Sequence, residues 1–179
     1  MTDNERKTGR LPAVYEYNLP TEAQWEYAAR GGHLFKGCKY SDGDNMDDVG
    51  WSIDNIDYSL WHYWYFEGVK WYAICYGYSE THSVGRKQPN ECGVYGMSEN
   101  VHERCRDCCK IDDYKMIATD TYRDGVEDPC CQNGEFQMYR GGNYYMDADG
   151  CRVAARSGGH GADVGNVEVG FRVVLVPVP

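Results

Sequence analysis

The chain lacks any long run of apolar residues, and its mean hydropathy is −0.68. No segment supplies the roughly 20 consecutive apolar residues of a membrane-spanning helix, so direct membrane insertion by that route is not expected. Positive charge is scarce as well: 18 Lys and Arg stand against 28 Asp and Glu, for a formal charge of −10 and a pI near 4.9. A phosphate backbone recruits the opposite field, which argues against nucleic acid as a partner. The first residues, MTDNERKTGR, carry charge where a signal peptide needs an apolar core, so no export signal is read there, and a longer parent chain stays open. Repeats, low-complexity tracts and linkers are also missing, which makes a single domain, 1–179, the expected organisation.

What is present suits a folded protein. Of the 179 residues 42% are hydrophobic and 14% aromatic, too apolar for disorder. A domain of this size can bury about 68–70% of its unfolded surface. Nine cysteines are many for a cytosolic protein and few for a disulfide scaffold, and the odd count leaves at least one unpaired if the others form bridges.

The clearest local signal is Pro20-Thr21-Glu22-Ala23-Gln24-Trp25, where Thr21 can cap a helix and Gln24 can close a capping box. Trp25, Ala28 and Ala29 share one face, and Gly31 and Gly32 stop the helix after Arg30. From Tyr40 to Asp57 the chain is acidic and turn-rich, with Asp42, Asp44, Asp47, Asp48, Asp54 and Asp57. It has neither the twelfth-position Glu nor the Gly of an EF-hand, so it reads as a solvated loop. The aromatic run Leu60 to Phe66, then Glu67-Gly68, then Val69 to Tyr76, reads as a tight hairpin. Beyond Thr81 the elements look short and irregular, and the only late strand signal is Glu168 to Val176, stopped by Pro177 and Pro179. Few helices, short strands and many loops indicate an α+β fold.

Five segments in order resemble the formylglycine-generating-enzyme (sulfatase-modifying-factor) family: LPTEAQWEYAARGG from Leu19, YSDGDNMDDVGW from Tyr40, THSVGRKQPNECGVYGMSENV from Thr81, YRGGNYYMDADGCRVAAR from Tyr139, and VGFRVV from Val169. The resemblance implies a C-type lectin fold of the formylglycine-enzyme type, with the region from about 56 to 78 as an aromatic hairpin insertion. Members that oxidise a substrate cysteine use a copper-binding cysteine pair in the segment after Arg-Gly-Gly. Here that segment supplies only Cys151, and one thiolate does not make a soft Cu(I) site. The family's Trp-rich stretch is replaced by charges and thiols from Glu99 to Cys109, which puts its packing in question.

Between Gly141 and Val167 there is no Lys, Glu, Gln or Trp, and a single Met. Those are the types missing from codons that end in a pyrimidine with the first two bases free, the menu left when AAC codons are randomised at their adenines. This resembles the variable proteins of diversity-generating retroelements, which place mutagenised codons ahead of a fixed terminal strand on the same lectin fold. The resemblance implies a non-catalytic ligand-binding protein with a hypervariable region at about 141–167, displayed on one face at the cell surface or after secretion. Its partner would be a protein or cell-surface ligand. The candidate ligand-binding residues are Tyr144, Tyr145, Asp147, Asp149, Ser157, Gly159, His160, Ala162, Asp163 and Val164, a composition close to that of an antibody paratope. If 144–149 is a strand, alternation sets Tyr145, Asp147 and Asp149 against Tyr144, Met146 and Ala148, and the set with the aspartates is the better choice for display. Arg140, Gly141, Gly142, Cys151, Arg152, Arg156, Phe171 and Arg172 would be frame positions.

The same resemblance places structural calcium at Asn100, Val101 and Glu103, and makes Cys105 and Cys151 the first choice for a contacting pair. No other cofactor is implied. Cys105, Cys108, Cys109, Cys130 and Cys131 contain one CxxC, but the second half lacks ligand spacing, so buried thiols or disulfides fit better than zinc. The rival reading is an enzyme of the same fold, a divergent oxidase or a metal-dependent relative. The missing cysteine pair and the absence of an evident His and carboxylate iron site speak against it.

Overall fold

The computed structural model describes residues 2–55, 64–66, 69–71, 81–98, 100–112, 115–117, 125–159 and 166–178. Its helices are α1 (Thr2–Lys7), α2 (Glu22–Ala29) and α3 (Met46–Val49). Its strands are β1 (Tyr15–Asn18), β2 (Trp64–Phe66), β3 (Val69–Trp71), β4 (His102–Asp112), β5 (Lys115–Ile117), β6 (Phe136–Arg140), β7 (Ser157–Gly158), β8 (Val169–Gly170) and β9 (Val174–Pro177). Short 3-10 turns cover Gly32–Leu34 and Ala148–Cys151. The chain divides into two compact units, one of Met1–Ala28, His102–Arg140 and Arg156–Pro179, the other of Ala29–Val101 and Gly141–Ala155. This is the mixed helix and sheet, loop-rich architecture of an α+β protein.

The first unit is organised by β4. It runs antiparallel to β5 on one side and β6 on the other, β7 extends the sheet beyond β6, and β8 pairs with β4 in parallel. Sequence alone shows no strand here, because HERCRDCCKID lacks the usual apolar alternation. The alternation is nevertheless present: Glu103, Cys105, Asp107 and Cys109 are buried, while Arg106 and Lys110 are exposed. Carboxylates and thiols thus take the inward positions, and each inward carboxylate is paired. The Thr21 hydroxyl accepts from the Gln24 N–H at 3.2 Å and the Gln24 side chain accepts from the Thr21 N–H at 3.0 Å, so the expected capping box starts α2.

The single late strand expected from Glu168 to Val176 is in fact two. β8 joins β4, residues 171–173 break away, and β9 pairs antiparallel with β1 from Asn18↔Val174 to Tyr15↔Pro177. Pro177 ends this two-stranded ribbon, where a missing N–H costs no ladder bond.

In the second unit the acidic loop is more built than a solvated loop would be. Asn45 caps α3 by accepting from the Asp47 N–H, and Tyr40, Met46, Val49 and Cys151 form a buried cluster. Asp44 accepts from the Lys39 N–H at 2.7 Å and Asp54 from the Ala148 N–H at 3.0 Å. Asp44, Asp48 and Asp54 are spent on hydrogen bonds within the unit. The aromatic hairpin exists as β2 and β3 with Trp64 opposite Trp71, and the rest of the hairpin expected between 56 and 78 lies outside the described residues.

Candidate functional site

In the second unit the segment from Gly141 begins with two left-handed glycines, at φ +90° and +71°. A Cβ on Gly142 would lie 2.6 Å from Cys151 Sγ and 2.9 Å from its Cα, so no other residue fits that turn. Asn143, buried and not foreseen as important, organises the next three residues. Its side-chain oxygen accepts from the Tyr145 N–H at 3.0 Å and its carbonyl from the Met146 N–H at 3.0 Å. An Asn directly after paired glycines is the signal that marks such a turn.

The condition for alternation over 144–149, a strand, is not met: the residues form a turn and a 3-10 turn, with the Asp147 carboxylate accepting from the Gly150 N–H at 2.9 Å. Side chains still separate into two sets. Tyr144 is buried, and Met146 and Ala148 pack against the cluster of Tyr40, Met46, Val49 and Cys151. Tyr145 is half-buried and Asp147 and Asp149 are exposed. Tyr144 is therefore a core residue instead of a displayed one, its ring 4.2 Å from that of Tyr145 and its N–H donating to the Asn100 carbonyl. Asp149 meets Lys39 at 2.9 Å, and this hydrogen bond, together with the charge of Lys39, holds its carboxyl below the usual carboxylate range.

In the first unit Ser157 and Gly158 are half-buried in β7, opposite Tyr139 and Met138. Gly159 comes next, at φ +148°. His160, Ala162, Asp163 and Val164 lie outside the described residues.

Beneath β7 and β6 the first unit holds a network of buried ions. Arg140 is completely buried, pairs with Glu26, approaches Glu22 at 3.7 Å, and lies over the Trp25 ring at 5.2 Å. Arg156 makes a two-pronged contact with Glu22, both bonds 2.6 Å. Arg172 does the same to Glu103 at 2.5 and 2.6 Å, and Trp25 Nε1 donates to Glu103 at 2.6 Å. Asp107 accepts from the Glu22 and Cys131 N–H groups. Three of the four arginines assigned to the frame therefore pair with buried acids. Arg152 is instead a surface residue beside Asp149, and Phe171, also assigned to the frame, is 68% exposed.

This network bears on calcium. Both Glu103 oxygens are held by Arg172 and Trp25. The Asn100 amide forms a reciprocal pair with the His82 backbone at 2.8 and 2.9 Å, and the Asn100 carbonyl already accepts from Tyr144. Val101 brings no side-chain oxygen. Hard oxygen ligands committed in this way do not fit a calcium ion. Among the described residues no cluster of three or more His, Cys, Asp or Glu is placed to hold a metal. The eight described cysteines, Cys105 and Cys151 included, are free thiols, and burial pushes the Cys105 thiol far up. No described helix is long and apolar enough to cross a membrane.

Fold and site together define a class, an α+β lectin-like scaffold with a network of buried ion pairs in its first unit and an irregular polar segment in its second. The sulfatase-modifying factor enzyme 1-like domain matches residues 4–176, and the chain belongs to that family. It is 33% identical over 158 residues to a formylglycine-generating enzyme of Streptomyces coelicolor, covering 86% of this chain and 45% of that protein. It is 40% identical over 96 residues to the chaperone protein LppX of Paenibacillus barcinonensis, covering 50% of this chain and 30% of that one. Treponema denticola variable protein 1 superposes with a TM-score of 0.63 at 27% identity, over 90% of this chain and 48% of that chain. The chain thus spans half or less of each of these proteins. The likeness to the formylglycine-enzyme fold and to a variable protein, expected from the sequence, is what these comparisons find.

Proposed function

We propose that this protein is a non-catalytic ligand-binding scaffold whose residues from about 141 to 167 are hypervariable. The observation that carries the reading is the separation of roles along that segment. Tyr144, Met146, Cys151 and Val153 point into the second unit, while Asp147 and Asp149 are open to solvent and Tyr145 is half-buried. Arg140, just ahead of the segment, and Arg156, within it, are tied to acids of the first unit, so outward positions can change without touching what holds the fold. Tyrosine and aspartate at such positions supply rigid contact area and acceptors, which suits a protein or cell-surface ligand. Presentation at the cell surface or after secretion belongs to the same proposal.

The likeness to Treponema denticola variable protein 1 favours this reading, and the 33% identity to a formylglycine-generating enzyme favours the rival, an oxidase of the same fold. Sequencing the end of the gene deeply in a population grown from one cell tests the first. Substitutions confined to adenine-derived codon positions between Gly141 and Val167, beside a near-copy of the segment and a reverse transcriptase gene, are the expected result. An invariant segment with no nearby copy overturns it, and oxidation of a cysteine peptide by the purified protein with added copper then decides for the enzyme.

A further inference from the structure

Two vicinal cysteine pairs that the ligand-binding reading leaves unused meet in the first unit. The segment 130–134 lies along β4. The Cys108 N–H donates to the Cys131 carbonyl at 2.7 Å, Asp107 accepts from the Cys131 N–H at 2.8 Å, and a Cβ on Gly134 would collide with the Cys109 backbone. Backbones hydrogen-bonded this closely bring their α-carbons within the span that a disulfide bridges. Cys131 is buried with its thiol directed at the Asn133 carbonyl, whereas Cys108 is half-buried and open to a reagent.

We infer that Cys108 and Cys131 are a disulfide-forming pair, closed by exchange with a small disulfide such as oxidised glutathione. The Cys108 thiolate attacks one glutathione sulfur, forming a mixed disulfide and releasing one glutathione thiol. The Cys131 thiolate then attacks Cys108 Sγ, forming the internal bond and releasing the second. Two protein thiols are oxidised and one glutathione disulfide is reduced to two thiols, so electrons and protons balance. Burial and the neighbouring Cys131 sulfur push the Cys108 thiol up, so closure accelerates as pH rises.

The pair would clamp the longest strand to the segment leading into β6. Closing a loop of this length restricts the unfolded chain and lowers the unfolding equilibrium constant about 300-fold. The test is to incubate the folded chain with reduced and oxidised glutathione at pH 8 and map peptides without reduction. The expected map joins Cys108 to Cys131, with two thiols lost, a higher melting temperature, and both effects reversed by dithiothreitol. Cys130→Ser should keep the bond and Cys108→Ser should abolish it. A bond from Cys108 to Cys109 or Cys130, a vicinal Cys130–Cys131 bond, or thiols that stay reduced or only glutathionylated in the folded protein would overturn the inference.

Discussion

Replacing Arg140 with Met is the most direct probe of what holds the first unit together. The guanidinium is completely buried, is bound to Glu26, stands 3.7 Å from Glu22 and covers Trp25. Methionine fills much of the volume but leaves the acids without their shared cation. Glu22 retains Arg156, so the loss falls mainly on Glu26 and on the Trp25 face. Breaking a buried pair by removing one partner costs about 3–5 kcal/mol. A domain is stable by only about 5–15 kcal/mol in total, and at this size each kcal/mol moves the melting temperature by roughly 2–4 °C, so the expected fall is about 6–20 °C. Urea unfolding monitored by tryptophan fluorescence gives the free energy, and the emission of Trp25 should change as its cation is removed. Adding Glu26→Gln to Arg140→Met should restore at least about 1 kcal/mol, because the uncompensated charge goes. A cost below about 1 kcal/mol, the range of an exposed pair, with no recovery in the double variant, would refute the reasoning.

Gly142→Ala should destabilise by about 2–4 kcal/mol, since the new methyl would sit 2.6 Å from Cys151 Sγ in a left-handed turn; Gly125→Ala, also left-handed at φ +80° but with nothing within 4 Å, should cost only about 1–2 kcal/mol in the same chemical denaturation. Asp149 should titrate below the usual carboxylate range by carbon-detected NMR and return towards it in Lys39→Ala. Because its folded value is lowered, whatever stability Asp149 adds is present above the ordinary carboxylate range and fades as pH falls through the lower folded value. An unchanged titration in Lys39→Ala would break that assignment.

How much could be read in advance depended on where the signal was apolar. The helix at Thr21 was legible because capping and helical spacing agree there. The longest strand was not, because its inward face is Glu103, Cys105, Asp107 and Cys109, and burial of a carboxylate becomes legible only with its partner in view, 134 residues away in the case of Glu22 and Arg156. α3 was hidden for a related reason, its two buried residues being set among aspartates whose roles are local hydrogen bonds. Of the candidate site, the exposure of Asp147 and Asp149 is legible from alternate spacing although no strand is there, while the burial of Tyr144 depends on a turn set by Asn143. Phe171 misleads in the opposite sense, since an aromatic beside a paired arginine suggests a core position, whereas the break between β8 and β9 leaves it in solvent.

The inward carboxylates of β4 carry a consequence for how the chain avoids folding wrongly. A strand with an apolar face can slide two residues and still bury something greasy. Here a shift by two would move Glu103 away from Arg172 and Trp25 and Asp107 away from the backbone donors of Glu22 and Cys131. A shift by one would turn Arg104 and Arg106 toward Arg140 and Arg156, setting like charges against one another where water is excluded. Misaligned strands are thereby penalised at every step, and one alignment is left as the only well-paired state.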